Sequence, residues 1–454
     1  MKYLEGVELI RQIEDEYDVM SIKYKDISAW SYLRLYLLDR ITANRENKAS
    51  RSIIAMVLKS LFFYNPFHLF RHYDVWMFTG SERRKRIGDK MIHRVSGGAS
   101  TSIQRCLMVE KPSKPFGHYC SNCIQEKNIV SEAWLLMTFR IIELLLRPFH
   151  VKVENEELLK QILREKNLDY NYKHYLRLLN AQRVAMRLML GIIYKPKVVL
   201  MESPYDSMGY MWAFHQTGVK VIELQHGVLN RNHNAYNAIA YERQMNPDCI
   251  CVFGEEEFKY FTKEKPSYAP VVKMTGLYML ELADLYFNSD PFSEYRKKFN
   301  RVIVAAGQSN AEKELSEFVD SIARENNDIF FIYIPRESNA DVHFSTDNAI
   351  LKTGVNIYEY LKWADIHMTI SSTTCLEAHY FHTPTIFVDL NRLATEYYGD
   401  ILSNKNGAVY ITTKEEFVGA AQKLDDADFE WKELFAHHHT EKIKKIVEDE
   451  LAHA

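Results

Sequence analysis

The stretch ELQHG, residues 223–227, closes a short apolar run with a carboxylate, an amide, an imidazole and a glycine. An imidazole titrates near neutrality, so a histidine steadied by a carboxylate can take the proton of an attacking hydroxyl. ESPYD, 202–206, sets Glu202 and Asp206 behind the preceding apolar run. Side chains alternate along a strand, which sends Glu223 and Gln225 to one face and Leu224 and His226 to the other. If the strand ends at Gln225, Glu202 or Asp206 is the better orienter, and Gly227 lets the chain turn there. Two plainer roles stand beside the catalytic one for His226: holding a phosphate, or satisfying a turn carbonyl. The catalytic candidates are His226, Glu223, Glu202 and Asp206.

A second set of residues suits an anion. ADIHMTISSTTCLEAHYFHTPTIFVD, 364–389, reads as a strand ending at Ile370, a helix and a second strand begun by Pro384. Ser371, Ser372 and Thr373 open the helix, where free backbone N–H groups and hydroxyls can receive a phosphate. Glu377, one turn on, is placed to accept hydrogen bonds from a ribose diol. The alternative is a helix cap with a solvated Glu377. Arg336 in YIPRES can meet a phosphate with two parallel bonds or pair with Glu337. Gly307, Gln308, Ser309 and Asn310, in AAGQSN, combine a close backbone with polar donors. Neither GxGxxG nor GxxxxGK[ST] occurs. The CxxC of Cys120 and Cys123 beside His118 has no second pair to complete a zinc site. The DAD at 426–428 reads as a solvated turn, and no metal site is expected.

These residues need a scaffold that brings distant segments to one place. The chain has 454 residues, 47% hydrophobic and 26% charged, with a formal net charge of -3. That length implies two or three domains, and the charge balance argues against a dedicated nucleic-acid binder. Six cysteines in so long a chain do not resemble a disulfide framework. The acidic N-terminus does not read as a signal peptide, and no run is long and apolar enough to span a bilayer. Residues 56–72, MVLKSLFFYNPFHLFRH, and 133–149, AWLLMTFRIIELLLRPF, read either as core helices or as helices lying on a bilayer surface with their basic residues among the headgroups.

Short apolar runs alternate with helical patterns from residue 74 onward, the signature of parallel sheets covered on both faces. Strands are expected at 74–80, 103–109, 196–202, 219–224 and 248–254, and again at 270–276, 300–307, 328–335, 364–370 and 383–389. The polar run after Gly80 reads as loop and helix. The predicted organisation is a helical extension over 1–72, an acceptor domain over 73–262, a donor domain over 263–430 and a C-terminal helix over 431–454. Open parallel sheets bind ligands beyond the C-terminal ends of their strands, where all the candidates lie.

Side by side, QHG at 225–227, MTG at 274–276 and the tract 364–389 resemble the bacterial surface-polysaccharide transferases of the GT-B fold. The resemblance is to the broad group that includes CDP-glycerol glycerophosphotransferases and capsule Kdo transferases. It covers roughly 196–400. It implies two Rossmann-like domains facing a central cleft, with His226 in the acceptor-side motif. It also implies donor phosphate at Ser371, Ser372 and Thr373, and ribose at Glu377. Two positions depart from the pattern: Ile334 stands where several members carry a histidine before proline, and Tyr278 follows the MTG glycine where glycerophosphotransferases continue with Pro, Arg and Asp. A true sugar donor therefore stands ahead of glycerophosphate.

The expected activity is transfer of a sugar from a nucleotide sugar to a hydroxyl of a bacterial surface glycan, of the capsule or lipopolysaccharide kind, or of its lipid-linked precursor. No metal or other cofactor is expected to be required. The expected compartment is the cytoplasm, with peripheral contact at the inner face of the membrane. The alternatives are a nucleotide-sugar 2-epimerase, a glycerophosphate or polyol-phosphate transferase, and a noncatalytic scaffold of capsule assembly.

Overall fold

The computed structural model describes all residues except 1–2, 43–49, 114–116, 228, 230–231, 238, 266, 309–310, 337–339, 426–427 and 454. Ser309, Asn310, Glu337 and most of the DAD turn therefore lie outside the described residues. Seven strands form the first sheet: β1 (Val75–Gly80), β2 (Cys106–Lys111), β3 (Ile129–Ser131), β4 (Val198–Glu202), β5 (Lys220–Leu224), β6 (Cys249–Val252) and β7 (Val271–Met274). Their spatial order is β3-β2-β1-β4-β5-β6-β7, and every pairing is parallel. Six more form the second: β8 (Arg301–Ala306), β9 (Ile329–Ile334), β10 (Ala349–Leu351), β11 (Ile366–Thr369), β12 (Thr385–Val388) and β13 (Ala408–Ile411). Their order is β10-β9-β8-β11-β12-β13, again all parallel.

Counted from its own first strand, each sheet runs 3-2-1-4-5-6, the doubly wound order, and the first adds β7 at the far edge. The strand order reverses between the first and fourth strands, and a crevice opens there beyond the strand ends. The central strands β1, β4, β8 and β11 are apolar and almost wholly buried, as two covered faces require. Glu202 closes β4, Gly307 follows β8 and Ser371 stands two residues beyond β11. The expected pair of Rossmann-like domains in a GT-B-like arrangement is what the chain adopts.

Four local expectations are corrected. The strand at 271–274 pairs with β6, with Val252 opposite Met274, so it completes the first sheet and the junction lies beyond 262–263. The pattern of PVVKMTG marks a strand but does not say which sheet takes it. Residues after Gly80 form a hairpin, Arg84–Ile87 against Lys90–His93, rather than a helix. Arg84 and Ile87 of the first strand and Ile92 and His93 of the second are buried, and Gly88 supplies the positive φ of the turn. The short strands β3, β10 and β13 were not anticipated. Residues 3–41 do not stand apart as an extension. Val7, Ile10, Trp30 and Leu33 share one buried cluster with Leu176, Trp212 and Val221 of the first domain.

A second apolar cluster runs from under the first sheet, at Val75, Met77 and Leu200, through Leu277 and Met279 to Leu376 and Phe387 of the second domain. Leu434, Phe435 and Val447 of the C-terminal segment complete it. Helical structure there begins only at His439, and residues before it pass along the strand ends. The Ala436 N–H donates to the carbonyl of Phe253 at 2.8 Å. Gly276, at φ +77°, has no room for a side chain, because a Cβ would lie 1.8 Å from the Ala436 carbonyl oxygen. That is the physical role of the glycine in MTG. The helix His439–Ala452 packs against Gly97–Ser102 of the first domain.

Candidate active site

Gln225 continues β5 by one residue and fixes the turn. Its Oε1 accepts from the Phe253 N–H at 2.6 Å, and its Nε2 donates to Gly227 O at 2.9 Å and to Glu257 Oε1 at 3.0 Å. The next side chain, His226, is thereby aimed at the loop after β4. Its Nε2 lies 3.0 Å from Ser203 Oγ and 3.2 Å from the Tyr205 hydroxyl. Ser203 has a left-handed backbone, φ 53°, uncommon for a residue with a side chain and often found where a site demands it. That conformation sets Ser203 Oγ between His226 and Arg83, whose Nη2 donates to it at 2.6 Å. A Cβ on Gly227 would meet no atom within 4 Å apart from its chain neighbours, so the chain is not crowded at the turn.

Glu202 belongs to the same group. Its Oε2 pairs with Arg83 Nε at 3.0 Å and accepts from Thr79 Oγ1 at 3.0 Å. Its Oε1 is enclosed and finds no donor among the described residues, and His226 Nδ1 is likewise enclosed and without a partner there. Burial holds the imidazole well below its ordinary pKa, and Arg83, the neighbouring His233 and Arg94 push it further down. His226 is therefore neutral at pH 7. With Nε2–H given to Ser203 or Tyr205, Nδ1 keeps a lone pair and can accept a proton.

The other carboxylates lie elsewhere. Glu223 is wholly buried on the opposite face, where the hydroxyls of Tyr236 and Tyr268 donate to it at 2.6 and 2.5 Å. Asp206 is exposed. Neither is bonded to His226. Burial raises Glu223 to about 7, with the two tyrosine bonds opposing. A carboxyl raised by folding stabilises the fold fully below its unfolded value near 4.5, and that stability is lost as pH rises through about 7. Glu223→Gln is expected to remove this dependence. The Tm difference between wild type and variant, followed from pH 5 to 8, should move steadily against the wild type. A constant difference would mean that Glu223 does not titrate in this range.

Across the cleft, Gln308 and Ser371 are bonded to each other. Gln308 Oε1 accepts from the Ser371 N–H at 2.7 Å, and its Nε2 donates to Ser371 Oγ at 3.2 Å. Ser372 and Thr373 stand half-buried beside them, and Ser372 Oγ receives the Thr374 N–H. Gly307 makes its close approach to Glu312, whose Oε1 would lie 2.0 Å from a Cβ there. Glu312 Oε2 in turn accepts from the backbone N–H of Arg336 at 3.2 Å, and the Arg336 side chain is exposed. Glu377 is buried, and its Oε1 accepts from Arg94 Nη2 at 2.7 Å and the Tyr358 hydroxyl at 3.0 Å. The carboxylate expected to face a ribose thus holds an arginine of the opposite domain.

Sequence reasoning named Arg336 but passed over the other cations. Arg83 follows β1, and Lys85 and Arg94 lie on and just after the hairpin that reaches the second domain. The carbonyl of Arg86 there accepts from Asn356 Nδ2 at 2.9 Å. Lys85 is lowered to about 8, by burial first and then by the charges of Arg336 and Arg94. Arg83, Lys85, Arg94 and Arg336 thus gather at these strand ends, where among the described residues Arg83 pairs with Glu202 and Glu82, and Arg94 with Glu377. The signal was the run ERRKR directly after Gly80, where a parallel strand ends.

Behind the hairpin lies a buried network. Glu110 Oε2 accepts from Arg84 Nε at 2.6 Å and lies 2.8 Å from His93 Nε2; Oε1 lies 2.9 Å from His118 Nδ1 and accepts from the Tyr64 hydroxyl at 3.0 Å. His93 Nδ1 is 3.1 Å from Thr79 Oγ1, which links the network to Glu202. With His118 so committed, it is not a ligand for the adjacent cysteines, and Cys120 and Cys123 are joined to each other as a disulfide. Among the described residues no group of three or more His, Cys, Asp or Glu is arranged to hold a metal ion.

No family model and no curated protein matches the chain. Several solved structures do. The UDP-GlcNAc 2-epimerase of Methanocaldococcus jannaschii, in complex with UDP-GlcNAc and UDP, aligns at 11% identity and a TM-score of 0.46, over 84% of this chain and 99% of that one. The S. aureus MnaA–UDP co-structure aligns at 13% and 0.49, over 84% and 97%. CalG4, the calicheamicin glycosyltransferase, aligns at 13% and 0.48, over 84% and 99%. At these scores and identities the likeness assigns no reaction, and the fold class rests on the strand order itself.

Proposed function

We infer that the protein is an enzyme acting on a nucleotide sugar bound between its two domains, and that the reaction is transfer of the sugar to a hydroxyl. The observation that carries this reading is the neutral His226, whose enclosed Nδ1 has no partner among the described residues and which stands at the strand ends near the cations Arg83 and Arg94. A buried nitrogen without a partner costs roughly 1–3 kcal/mol, a cost that an acceptor hydroxyl bonded to it would remove. The hydroxyl proton goes to Nδ1 as the oxygen bonds to the anomeric carbon. The bond from that carbon to the nucleotide phosphate breaks, and the electron pair leaves with the phosphate. Arg83, Lys85 and Arg94, with the hydroxyls of Ser372 and Thr373, are positioned to meet that charge in a site where preorganised cations act strongly. Arg336 extends the same positive field.

This assignment modifies the role of Glu377. Arg94 and Tyr358 both bond Glu377 Oε1, so a ribose diol would have to compete with them there or use Oε2. Glu202 positions Arg83. The glycan or lipid-linked acceptor and its place in surface-polysaccharide synthesis belong to this reading, as does activity without a metal.

A second reading, 2-epimerisation of the nucleotide sugar, is favoured by one observation: Glu202 Oε1 and His226 Nδ1, at the ends of two paired strands, both lack a partner among the described residues and offer two proton-transfer groups without an acceptor. Against it, Glu223 and Asp206 are not gathered into the site. The two readings separate in one experiment. The protein is incubated with UDP-, GDP-, dTDP- and CMP-linked sugars, with and without glycan acceptors, and the nucleotide and sugar products are resolved. Transfer gives nucleotide release that depends on acceptor. Epimerisation gives an altered nucleotide sugar without acceptor. Absence of binding to every nucleotide sugar, read by thermal shift, would leave neither reading standing.

A further inference from the structure

Residues 56–72 and 133–149 are far apart in sequence but adjoin in space. Helix Ser50–Ser60 packs on Ala133–Leu146, which packs in turn on Tyr172–Ile192. Phe62 meets the ring of Trp134 edge-on at 5.9 Å, and Trp134 Nε1 donates to Leu61 O at 2.7 Å. A third segment, 187–197, which the sequence did not single out, joins them through the Tyr194 ring stacked on His72 at 5.4 Å. Large apolar side chains point out of this surface rather than into the core. Phe62 is 78% exposed, Phe67 71%, Leu145 61%, Phe149 66% and Ile192 73%. Singly exposed apolar residues are ordinary, but so many on adjoining elements mark an interaction surface.

The exposed charges on these segments have one sign, and the adjoining, partly buried Asp74 is paired with His72 and Arg105. Within 56–72, 140–150 and 187–197 every exposed ionisable side chain is basic, and the one acid, Glu143, is buried and paired with Arg147. Lys59, Arg71, Arg140, Arg187 and Lys195 are among these basic residues, in a chain whose formal net charge is -3. Long basic stems reach outward from apolar surface to anionic headgroups while the apolar tips enter the acyl boundary. A second copy of this chain seated on the same face would set like charges opposite each other.

We propose that the first domain docks on an anionic bilayer surface through the face built from residues 56–72, 140–150 and 187–197. No helix among the described residues is long and apolar enough to cross a membrane, so the contact is peripheral. Lys59, Arg140, Leu145 and Phe149 of this face are not among the residues assigned to the nucleotide site.

The test uses the full chain and sedimentation with phosphatidylcholine vesicles, with or without phosphatidylglycerol, at low and high salt. Binding is expected to the anionic vesicles, weakened by salt. The double variant Leu145→Ser/Phe149→Ser is expected to weaken it at least tenfold, and Arg140→Gln or Lys59→Gln by roughly fivefold each. All four positions are exposed, so circular dichroism and Tm should stay at wild-type values. The proposal is overturned if wild-type protein sediments with neither vesicle, or if binding ignores these substitutions. A dimer that the double variant disperses, without vesicle binding, also overturns it and assigns the face to a second copy.

Discussion

Replacing His226 with asparagine is expected to lower turnover about 10²- to 10⁴-fold with nucleotide affinity nearly unchanged, because asparagine keeps polarity and hydrogen bonding but cannot take a proton. The environment sharpens this expectation. Burial, with Arg83, the neighbouring His233 and Arg94, keeps the imidazole neutral, so the base form is present well below pH 6.5 and the rate should show no acid limb from His226 near that value. The experiment measures transfer at saturating donor and acceptor from pH 5.5 to 9, alongside nucleotide titration. Lost nucleotide binding with an unchanged saturated rate would make His226 a phosphate holder. An unchanged rate and affinity would reduce QHG to a structural turn, a part that Gln225 already plays through Phe253 and Gly227.

Glu110→Ala is expected to destabilise the first domain by about 3–5 kcal/mol, the range for removing one member of a buried ion pair. The variant leaves Arg84 with Glu126 as its remaining carboxylate and strips a carboxylate partner from His93, His118 and Tyr64. Burial pushes the Glu110 carboxyl up, but the bonds from His118 and His93 and the charges of His93 and Arg84 outweigh it and hold it well below 4.5. A carboxyl depressed by folding contributes above its unfolded value and stops contributing as pH falls through the folded one. The wild-type advantage should therefore be complete at neutral pH and shrink in acid. Urea unfolding of the two proteins at pH 7 and pH 4 checks both statements. A loss under about 1 kcal/mol at pH 7 would mean that water or neighbours replace the carboxylate. A smaller effect is expected from Glu110→Gln, which preserves shape and some acceptor capacity.

Much of the architecture was legible along the chain. Runs such as VWMFTG, VVLME and FFIYI are buried on both faces, so they carry an unbroken apolar signal, and their alternation with amphipathic helices such as Glu312–Glu325 already implied parallel sheets. The ends of those strands located Glu202, His226, Gln308 and Ser371, because a doubly wound sheet leaves its polar residues there. Strand alternation also foretold that Glu223 and His226 part company. The short strands β10 and β13 were not legible, since three or four residues carry too little periodicity. The hairpin at 84–93 was hidden by its arginines and lysines, whose charge reads as loop until their long stems are seen packed between elements.

Residue types, local periodicity and the positions of strand ends were thus properties of the sequence by itself. Partners were not. Glu377 in a hydroxyl-rich helix start looks like a ribose acceptor until an arginine from 283 residues earlier is found on it. Gly307 looks like a site for ligand approach until Glu312 fills the space. Arg83 carries no motif, yet it bonds both Ser203 and Glu202 and lowers the pKa of His226. Which sheet receives β7, and which three surface segments share one apolar face, were decided by long-range packing. Hydrogen bonds and charges act over a few ångströms of space, and separation along the chain does not report that distance.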